Sequence, residues 1–365
     1  MINKPLRVLL VLGEQPSWSS ARYLSYHIHV GMEDGLKAAG VEVTTLMSPL
    51  VQQAPKLLQG QKFDQIWVEV MTNGISLDVL EWLSTLAPVR VGLCAESTVY
   101  TEEELDAKPE FAFMLVRFRQ RLKFLTHLLV GDEEDVGRLA CPNLQTAWWL
   151  VSANRRFIQD PPLPLPDNFR ARFYGHIYGE RQRWLSEAAL SDLITAAPSS
   201  EGKGFVLAYD FWQLVWRGLV KYQVEAYRLN RLYLWGARRF RVKSTANWHR
   251  HLQDCSAVVS LPLVFKSFPG RVTEAMAAGR AVLAWQVPQR PLMSQVFLDG
   301  EEILLYRQPE QLREHILRLR AEPSLAQQIA TRATRRLLAQ HTTEIRVGQI
   351  LEWLATGTAP DYTPR

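Results

Sequence analysis

The stretch "SFPGRVTEAMAAGRAVLAW", residues 267–285, decides how the rest of the chain is interpreted. Its Pro-Gly pair is typical of a helix start, Gly279 is typical of a helix end, and the apolar run that follows predicts a buried strand. Arg271 and Glu274 lie three positions apart at the front of this helix and therefore share one face. A charged pair at that place, just before a buried strand, indicates the ligand-binding edge of an α/β protein.

Outward from this stretch, short apolar runs alternate with amphipathic stretches along the whole chain. In the first part, strands are predicted at 6–13, 41–47, 63–70, 89–94, 126–131 and 146–153, and helices at 21–39 and 77–87. In the second part, strands are predicted at 171–176, 204–209, 231–236, 256–262 and 281–285, with helices from about 180, at the opening stretch and from 310 to 356. Strands that alternate with helices predict two parallel sheets of the doubly wound type.

A proline-rich segment separates the two parts. "QDPPLPLPDN" (159–168) has four prolines in ten residues, which neither a helix nor a central strand tolerates. The sequence therefore predicts an interdomain linker. The expected divisions are an N-terminal domain, the linker, a C-terminal domain and a final helix with its tail, at 1–158, 159–170, 171–340 and 341–365.

Composition indicates a globular protein and leaves its partner open. The 365 residues are 47% hydrophobic and 22% charged, with a net charge of +5 that admits an anionic ligand, and no nucleic-acid partner is expected. Arginine supplies 32 of the 42 cationic side chains, which genome composition or heat adaptation would also explain. The three cysteines are too widely spaced to suggest a disulfide framework, which favours a reducing, cytoplasmic location.

Two nucleotide-binding fingerprints are missing from the sequence. It contains neither G-x-G-x-x-G at the first turn nor a complete P-loop motif. "SSEGKGF" (199–205) resembles a P-loop superficially, but it precedes a predicted strand, which favours a surface turn. Two doubly wound units without the dehydrogenase fingerprint predict an enzyme that works in a cleft.

Several segments of the second part resemble the GT-B glycosyltransferases. "FPGRVTEAMAAGRAVLAW" is similar to their sugar-nucleotide segment, "FYGHIYGERQRWL" (173–185) to the first strand, turn and helix of their C-terminal domain, and the end of the chain to their closing helices. The R-x-x-E form and the "EEILLY" tail most resemble the spore-maturation-type branch. The resemblance implies two Rossmann-like domains facing a cleft, with the last helix crossing back to the first domain. Over residues 1–150, only the order of strands and helices supports the resemblance.

The resemblance also implies a reaction and a set of donor-binding residues. These enzymes transfer a sugar from a nucleoside-diphosphate donor, commonly with retention and without a metal or other cofactor. The leaving diphosphate then needs electrostatic stabilisation. In the family, the turn after the first strand of the C-terminal domain carries an arginine and a lysine that bind the diphosphate. His176 occupies the arginine position here, and Arg181 occupies the lysine position. The donor-side residues that the resemblance implies are Gly175, His176, Tyr178, Arg181, Lys266, Gly270, Arg271 and Glu274.

Four of these residues carry open alternatives. Glu274 matches the glutamate that accepts the ribose hydroxyls, although a first-turn glutamate also serves the helix dipole. Arg271 either pairs with Glu274 or faces the phosphates. Lys266 stands where the family has a second glutamate, and it either attracts the diphosphate or points into solvent. A helix-start Arg181 would equally be a solvated residue.

The first domain offers weaker candidates. Gly13, Ser17, Ser19 and Ser20 lie in "GEQPSWSSARYL" (13–24), after the first strand, where such enzymes line the acceptor side; a plain loop fits equally. Glu96 follows the strand 89–94 at its ligand-facing end, and we expect it near the reacting carbon or the acceptor hydroxyl, or else as an ordinary loop acid. We take Glu96 and Arg181 as the candidate catalytic pair.

Two further features are weighed against simpler explanations. Residues 115–130 mix apolar side chains with four cations and predict either a helix that touches anionic lipid or a core helix with extended cationic side chains. The histidine pairs 27/29 and 249/251 have a spacing that points opposite ways on a helix, so no metal site is expected.

The sequence predicts a glycosyltransferase of unknown acceptor. The alternatives are a non-hydrolysing nucleotide-sugar epimerase and an inactive nucleotide-sugar-binding subunit.

Overall fold

Two parallel β-sheets organise the chain. The computed structural model describes residues 4–13, 24–27, 30–72, 74–107, 109–175, 177, 179–197, 203–222, 224–262 and 266–363. Of the predicted site residues, Ser17, Ser19, Ser20, His176 and Tyr178 lie outside these ranges. Within the described residues, no helix is long and apolar enough to cross a bilayer.

The first sheet has six parallel strands in the order β2-β1-β3-β4-β5-β6. They are β1 (Arg7–Leu12), β2 (Glu42–Met47), β3 (Gln65–Glu69), β4 (Val89–Cys94), β5 (His127–Val130) and β6 (Gln145–Trp148). The helices around it are α1 (Val30–Ala38), α2 (Ala54–Leu57), α3 (Leu77–Ser84), α4 (Glu102–Ala107), α5 (Pro109–Leu122) and α6 (Glu133–Leu139). Buried valine and leucine side chains on both faces of β1 explain its interior place in the sheet, because a parallel sheet is covered on both sides.

The second sheet has five parallel strands in the order β11-β10-β9-β7-β8. They are β7 (Ala171–Tyr174), β8 (Ile194–Ala197), β9 (Ala257–Ser260), β10 (Ala281–Trp285) and β11 (Leu304–Tyr306). The helices in this second part of the chain are α7 (Glu180–Ser186), α8 (Lys203–Lys221), α9 (Asn230–Gln253), α10 (Gly270–Ala277), α11 (Pro309–Ala321), α12 (Pro323–Gln340) and α13 (Thr343–Thr356). β8 lies on one side of β7 and β9 on the other, so the strand order reverses at β7. The turn after β7 therefore lies at the switch point where open parallel sheets bind ligands.

The proline-rich segment and the last helix both connect the two sheets. Residues 159–168 form neither helix nor strand, and Arg280 donates to the carbonyl oxygens of Leu163 and Pro164. Helix α13 packs on α1, where a Cβ on Gly35 would lie 2.6 Å from Cγ2 of Val347. The absence of a side chain at Gly35 therefore lets the two helices approach closely.

Several predicted elements are wrong in type or extent. Residues 204–209 and 231–236, predicted as strands, lie within the long helices α8 and α9. Residues 204–209 are mostly apolar, and over so short a run the pattern of apolar residues does not separate a helix from a buried strand. Residues 203–205 of the segment 199–205 begin α8 and not a strand, and residues 198–202 lie outside the described part. The strand β8 was not predicted.

The predicted helix at 21–39 is also too long. Residues 24–27 form a non-helical segment and turn, and α1 begins at Val30. This segment is held by hydrogen bonds to α9, where Ser244 Oγ accepts from the backbone N–H of Leu24 and Thr245 Oγ1 accepts from that of Tyr26. Contacts between segments more than two hundred residues apart override the local helical pattern.

Candidate active site

Two guanidinium groups converge on Phe173 at the end of β7. The guanidinium carbon of Arg181 lies 5.4 Å from the centre of the Phe173 ring, and that of Arg271 lies 5.8 Å from it. Gly175 has a φ of +150°, and a Cβ built there would lie 3.1 Å from both terminal nitrogens of Arg271. Glycine at this turn therefore leaves the space that the Arg271 side chain uses, and two cations meet at the switch point of the second sheet.

Arg181 is buried rather than solvated at the start of α7. It is 4% exposed, and its Nε donates to the carbonyl oxygen of Pro262, just after β9, over 2.7 Å. This contact links the β7–α7 turn to the loop that leads to α10. A buried, oriented guanidinium at this edge provides a fixed positive charge at the position where the family resemblance predicts a diphosphate ligand.

Glu274 is fixed between α10 and α9. It is 7% exposed, and its Oε2 accepts a 2.9 Å hydrogen bond from Nε1 of Trp248 on α9. Trp248 in turn packs edge-to-face on Tyr174 with ring centres 5.3 Å apart. The carboxylate therefore has a defined position beside the end of β7, which a solvated first-turn glutamate would not have.

The start of α10 faces the first sheet. Pro269 is the N-cap residue, Gly270 begins the helix, and a Cβ on Gly270 would contact Cγ1 of Val151 at 3.5 Å. The free N–H groups at the start of α10 add a partial positive charge to the one that Arg271 carries.

Lys266 connects the two halves of the molecule instead of pointing into solvent. Its Nζ lies 3.1 Å from Oε2 of Glu104 on α4 and donates to the carbonyl oxygen of Val99 over 3.3 Å. Both partners belong to the segment that follows β4. The loop before α10 and the loop that carries Glu96 are therefore in contact.

Glu96 is a partly buried carboxyl group that follows β4. Its Oε2 is buried and accepts no hydrogen bond in the described structure, and burial raises the pKa of this carboxyl from 4.5 to about 7. Burial, and to a lesser degree the charge of Glu96, also raises the pKa of the nearby Tyr100 hydroxyl. A carboxyl that titrates near neutral pH is suited to accept or donate a proton.

Hydrogen bonds hold the Glu96 loop on the start of α6. Oδ2 of Asp132 accepts from Ser97 Oγ over 2.6 Å, and Oδ2 of Asp135 accepts from the backbone N–H of Thr98 over 2.7 Å. Asp132 also pairs with Arg290 of the second sheet, and the two side chains are 0% and 2% exposed. The sequence analysis did not identify this pair, although both residues follow predicted strands at their carboxyl ends.

Two buried histidines from opposite halves face each other near Trp248. The ring centres of His27 and His249 are 5.9 Å apart, and Nδ1 of His27 accepts from the backbone N–H of Asn154 over 2.9 Å. Burial lowers the pKa of His27 to about 3 and that of His249 to about 4, so both rings are neutral at pH 7. The sequence analysis compared the members of each pair with one another and so missed this meeting between the pairs.

Gly13 has a packing role at the end of β1. A Cβ there would lie 2.1 Å from Thr72, and the backbone N–H of Gly13 donates to Oε2 of Glu69 over 2.9 Å. Glycine at position 13 therefore allows the loop after β3 to pack against the end of β1. This packing, and not the approach of an acceptor molecule, explains the glycine.

The two sheet edges differ in what they can do chemically. The edge of the second sheet presents Arg271, Arg181 and the start of α10, a concentration of positive charge that suits an anionic group. A cavity of about 480 Å³, lined in part by Trp285, Arg290 and Arg307, opens on the same edge at the ends of β10 and β11. The edge of the first sheet presents a carboxyl that titrates near neutral pH.

Comparison with known proteins bears on the fold of this chain. Residues 205–352 match the family model described as "Glycosyl transferase-like", and no curated protein matches the chain. A sucrose-phosphate synthase from Thermosynechococcus elongatus superposes with a TM-score of 0.57 at 14% identity, covering 97% of this chain and 100% of the other. HepE from Anabaena in complex with UDP-glucose gives 0.52 at 12% identity, covering 95% and 99%.

A third similar structure is a trehalose-6-phosphate synthase studied for glycosyl transfer with retention. It gives a TM-score of 0.53 at 12% identity, and covers 95% of this chain and 98% of the other. The predicted GT-B fold and the resemblance to glycosyltransferases are therefore confirmed. The comparisons do not support one branch of these enzymes, such as the spore-maturation type, over another.

Proposed function

We propose that this GT-B chain is a glycosyltransferase that takes a sugar from a nucleoside-diphosphate donor. The observation that carries the proposal is the convergence of Arg271 and Arg181 on Phe173 at the switch point of the second sheet. That edge also holds Glu274, and the family-model match over 205–352 includes both Arg271 and Glu274. The bound nucleotides of HepE make UDP and its sugars the first donors to test.

In the proposed reaction, the bond between the anomeric carbon and the β-phosphate oxygen breaks, and its electron pair stays on the departing diphosphate. Arg271, the start of α10 and Arg181 stabilise the charge that grows there. Glu274, which is oriented by its hydrogen bond from Trp248, accepts hydrogen bonds from the donor ribose hydroxyls. No metal is required in this scheme, because fixed cations and helix N–H groups supply the electrostatic stabilisation.

The acceptor hydroxyl enters the cleft beside the first sheet and attacks the anomeric carbon on the face from which the diphosphate leaves, because transfer with retention in a single step requires attack on that face. We assign Glu96 to this hydroxyl: its carboxylate accepts the hydroxyl hydrogen bond, and it takes up the proton as the new glycosidic bond forms. The pKa of about 7 gives Glu96 both protonation states in the neutral range. Transfer with retention is part of the proposal and is supported by the likeness to the trehalose-6-phosphate synthase.

A second candidate is a nucleotide-sugar-binding subunit without turnover. Lys266 occupies the position of the family's other glutamate, and its pairing with Glu104 favours a contact between the two halves over one with donor. Such a protein would bind nucleoside diphosphates through the same edge but would release no sugar.

Donor hydrolysis separates the two candidates. The purified chain is incubated with UDP-, GDP- and ADP-sugars without acceptor, and released diphosphate is measured alongside binding by thermal shift. Slow release that Arg271→Ala abolishes supports the transferase. Binding without release supports the inactive subunit, and the absence of both contradicts a nucleotide-sugar site.

A further inference from the structure

The pair of helices α8 and α9 exposes a large apolar surface. On α8, Leu207, Phe211 and Leu214 are 68%, 68% and 67% exposed, and they recur at the spacing that places residues on one side of a helix. On α9, Leu232 and Trp235 are 49% and 53% exposed. Isolated exposed apolar residues are ordinary, whereas a stripe on two neighbouring helices marks an interaction surface.

The opposite faces of these helices rest on the first sheet and on each other. Trp212 of α8 stacks on Tyr233 of α9, and Trp216 packs edge-to-face on the same ring. Trp216 and Tyr233 belong to the core cluster that includes Met47 and Leu50 of the first half. Because both helices bury one face in this way, their exposed apolar faces both point away from the first sheet.

Positive charge is concentrated in the same segment. Residues 203–253 contain ten lysines and arginines but two acidic residues, Asp210 and Glu225, whereas the rest of the chain has 32 cationic and 35 acidic residues. The net positive charge of the protein therefore resides in this helix pair. Some of these cations pair internally, such as Arg238 with Glu33 and Asp34.

Other cations of the pair are exposed beside the apolar stripe. The side chains of Lys221, Arg231, Arg239 and Lys243 are all exposed. Arg239 lies over the Trp235 ring at 4.4 Å, which sets a cation next to an exposed aromatic ring. A phospholipid interface rewards this combination, because the acyl boundary takes up apolar side chains while anionic headgroups attract the cations around them.

We propose that the exposed faces of α8 and α9 dock the protein on an anionic membrane surface. The helices lie in the plane of the interface, with Leu207, Phe211, Leu214 and Trp235 in the headgroup and acyl boundary and the exposed cations at the headgroups. This proposal is independent of the transferase assignment. It places the lipid contact in the second half of the chain, whereas the sequence analysis considered one as an alternative for residues 115–130, which begin in α5.

Helix α5 is the natural comparison. It exposes Phe113 and Val116, 61% and 54% exposed. However, one of its cations, Arg121, is buried and donates hydrogen bonds to three backbone carbonyl oxygens, those of Val70, Thr72 and Ile75. This arginine stabilises the fold and is not available to a headgroup.

Vesicle flotation tests the proposal with the full chain. Phosphatidylcholine vesicles are compared with vesicles that also contain phosphatidylglycerol, at low and high salt. The wild type should float with the anionic vesicles at low salt, and binding should weaken as salt rises. The double variant Phe211→Ser/Leu214→Ser should bind roughly tenfold or more weakly, since each change removes an apolar side chain that the interface would bury.

The matched control is the double variant Phe113→Ser/Val116→Ser on α5, which should float like the wild type. Circular dichroism and thermal unfolding check that both variants remain folded. A third variant, Arg239→Gln/Lys243→Gln, tests the contribution of charge while every apolar residue is kept. No flotation of the wild type, or equal flotation of the α8 variant, overturns the proposal. Light scattering that shows a dimer, dissociated by Phe211→Ser/Leu214→Ser without any vesicle binding, assigns the surface to a second copy instead.

Discussion

The two sheets place charged side chains at equivalent edges, but the contacts of these side chains differ between the two edges. At the end of β7, Arg181 and Arg271 lie over an aromatic ring, and Glu274 accepts a hydrogen bond from Trp248. At the end of β4, a buried oxygen of Glu96 has no hydrogen-bond partner among the residues that the structure describes, and the pKa of this carboxyl rises to about 7. The same architecture thus produces one edge with fixed charges, suited to hold an anion, and another whose charge varies with pH.

The largest effect is expected where the two edges are joined. Arg290→Ala should lower the free energy of unfolding by about 3–5 kcal/mol, because it leaves the fully buried Asp132 without its charge partner. Urea unfolding measures this loss. Arg332→Ala is the control: its partner Glu301 is exposed, so the cost should stay below about 1 kcal/mol. Equal losses in the two variants would show that Arg290 does not fix the edges relative to each other.

The fixed-charge edge is tested by removing one cation. Arg271→Ala should reduce turnover roughly 10²–10³-fold, the scale of losing one preorganised group that stabilises charge in the transition state. Steady-state donor hydrolysis or transfer gives the rate. The control is Arg183→Ala on α7, whose side chain is 73% exposed and pairs with Glu180, and it should leave the rate nearly unchanged. A fully active Arg271→Ala would remove this residue from the diphosphate site.

The titrating edge is tested through stability as a function of pH. The pKa of Glu96 is higher in the folded chain than in the unfolded one, so the folded state binds more protons between about pH 4.5 and 7. Its contribution to stability is therefore present at low pH and is lost as the pH rises through this window. Glu96→Gln removes the loss, and relative to the wild type it should gain at most roughly 3 kcal/mol between pH 4 and pH 8.

Chemical denaturation of both proteins at several pH values gives this difference. The same variant should lose the rise in turnover that the wild type shows as pH increases through about 7, since glutamine cannot accept the acceptor proton. Parallel stability curves for wild type and variant would mean that Glu96 titrates like an ordinary surface acid, and the contrast between the two edges would disappear.

The smallest expected effect concerns donor recognition. Glu274→Gln should weaken nucleotide-sugar binding by roughly 1–3 kcal/mol, the range for hydrogen bonds to a charged group, while the fold is retained. Calorimetric titration measures the affinity. Glu310→Gln, a first-turn glutamate of α11 that is exposed, serves as the control and should bind donor like the wild type. Unchanged affinity in a folded Glu274→Gln protein would exclude the ribose contact.

Local sequence patterns were sufficient for much of the fold. Strand β4 and helix α10 form where the apolar runs and the Pro-Gly and Gly signals predict them, because these elements follow from local burial and capping. Helices α8 and α9 were mistaken for strands because their aromatic side chains lie on both faces. Their character depends on packing against the first half of the chain, which no local window contains.

The candidate site shows the same division. Sequence resemblance pointed to Arg271 and Glu274, since both lie in one short segment. The partners that give other residues their character come from distant parts of the chain: Glu104 pairs with Lys266, and Asp132 with Arg290. Such pairs depend on how the two sheets face each other, which a single sequence does not reveal.

The most direct test of the central claim is the affinity for UDP and GDP, measured by calorimetry for the wild type, Arg271→Ala and Glu96→Gln at pH 7. The fixed-charge edge binds the diphosphate in our account, so Arg271→Ala should weaken binding about tenfold or more, as expected for losing a charge-assisted contact. Glu96→Gln should leave the dissociation constant within about twofold, since this residue acts on the acceptor side. Equal weakening by both changes, or none by Arg271→Ala, would contradict the assignment of the anion to the second sheet.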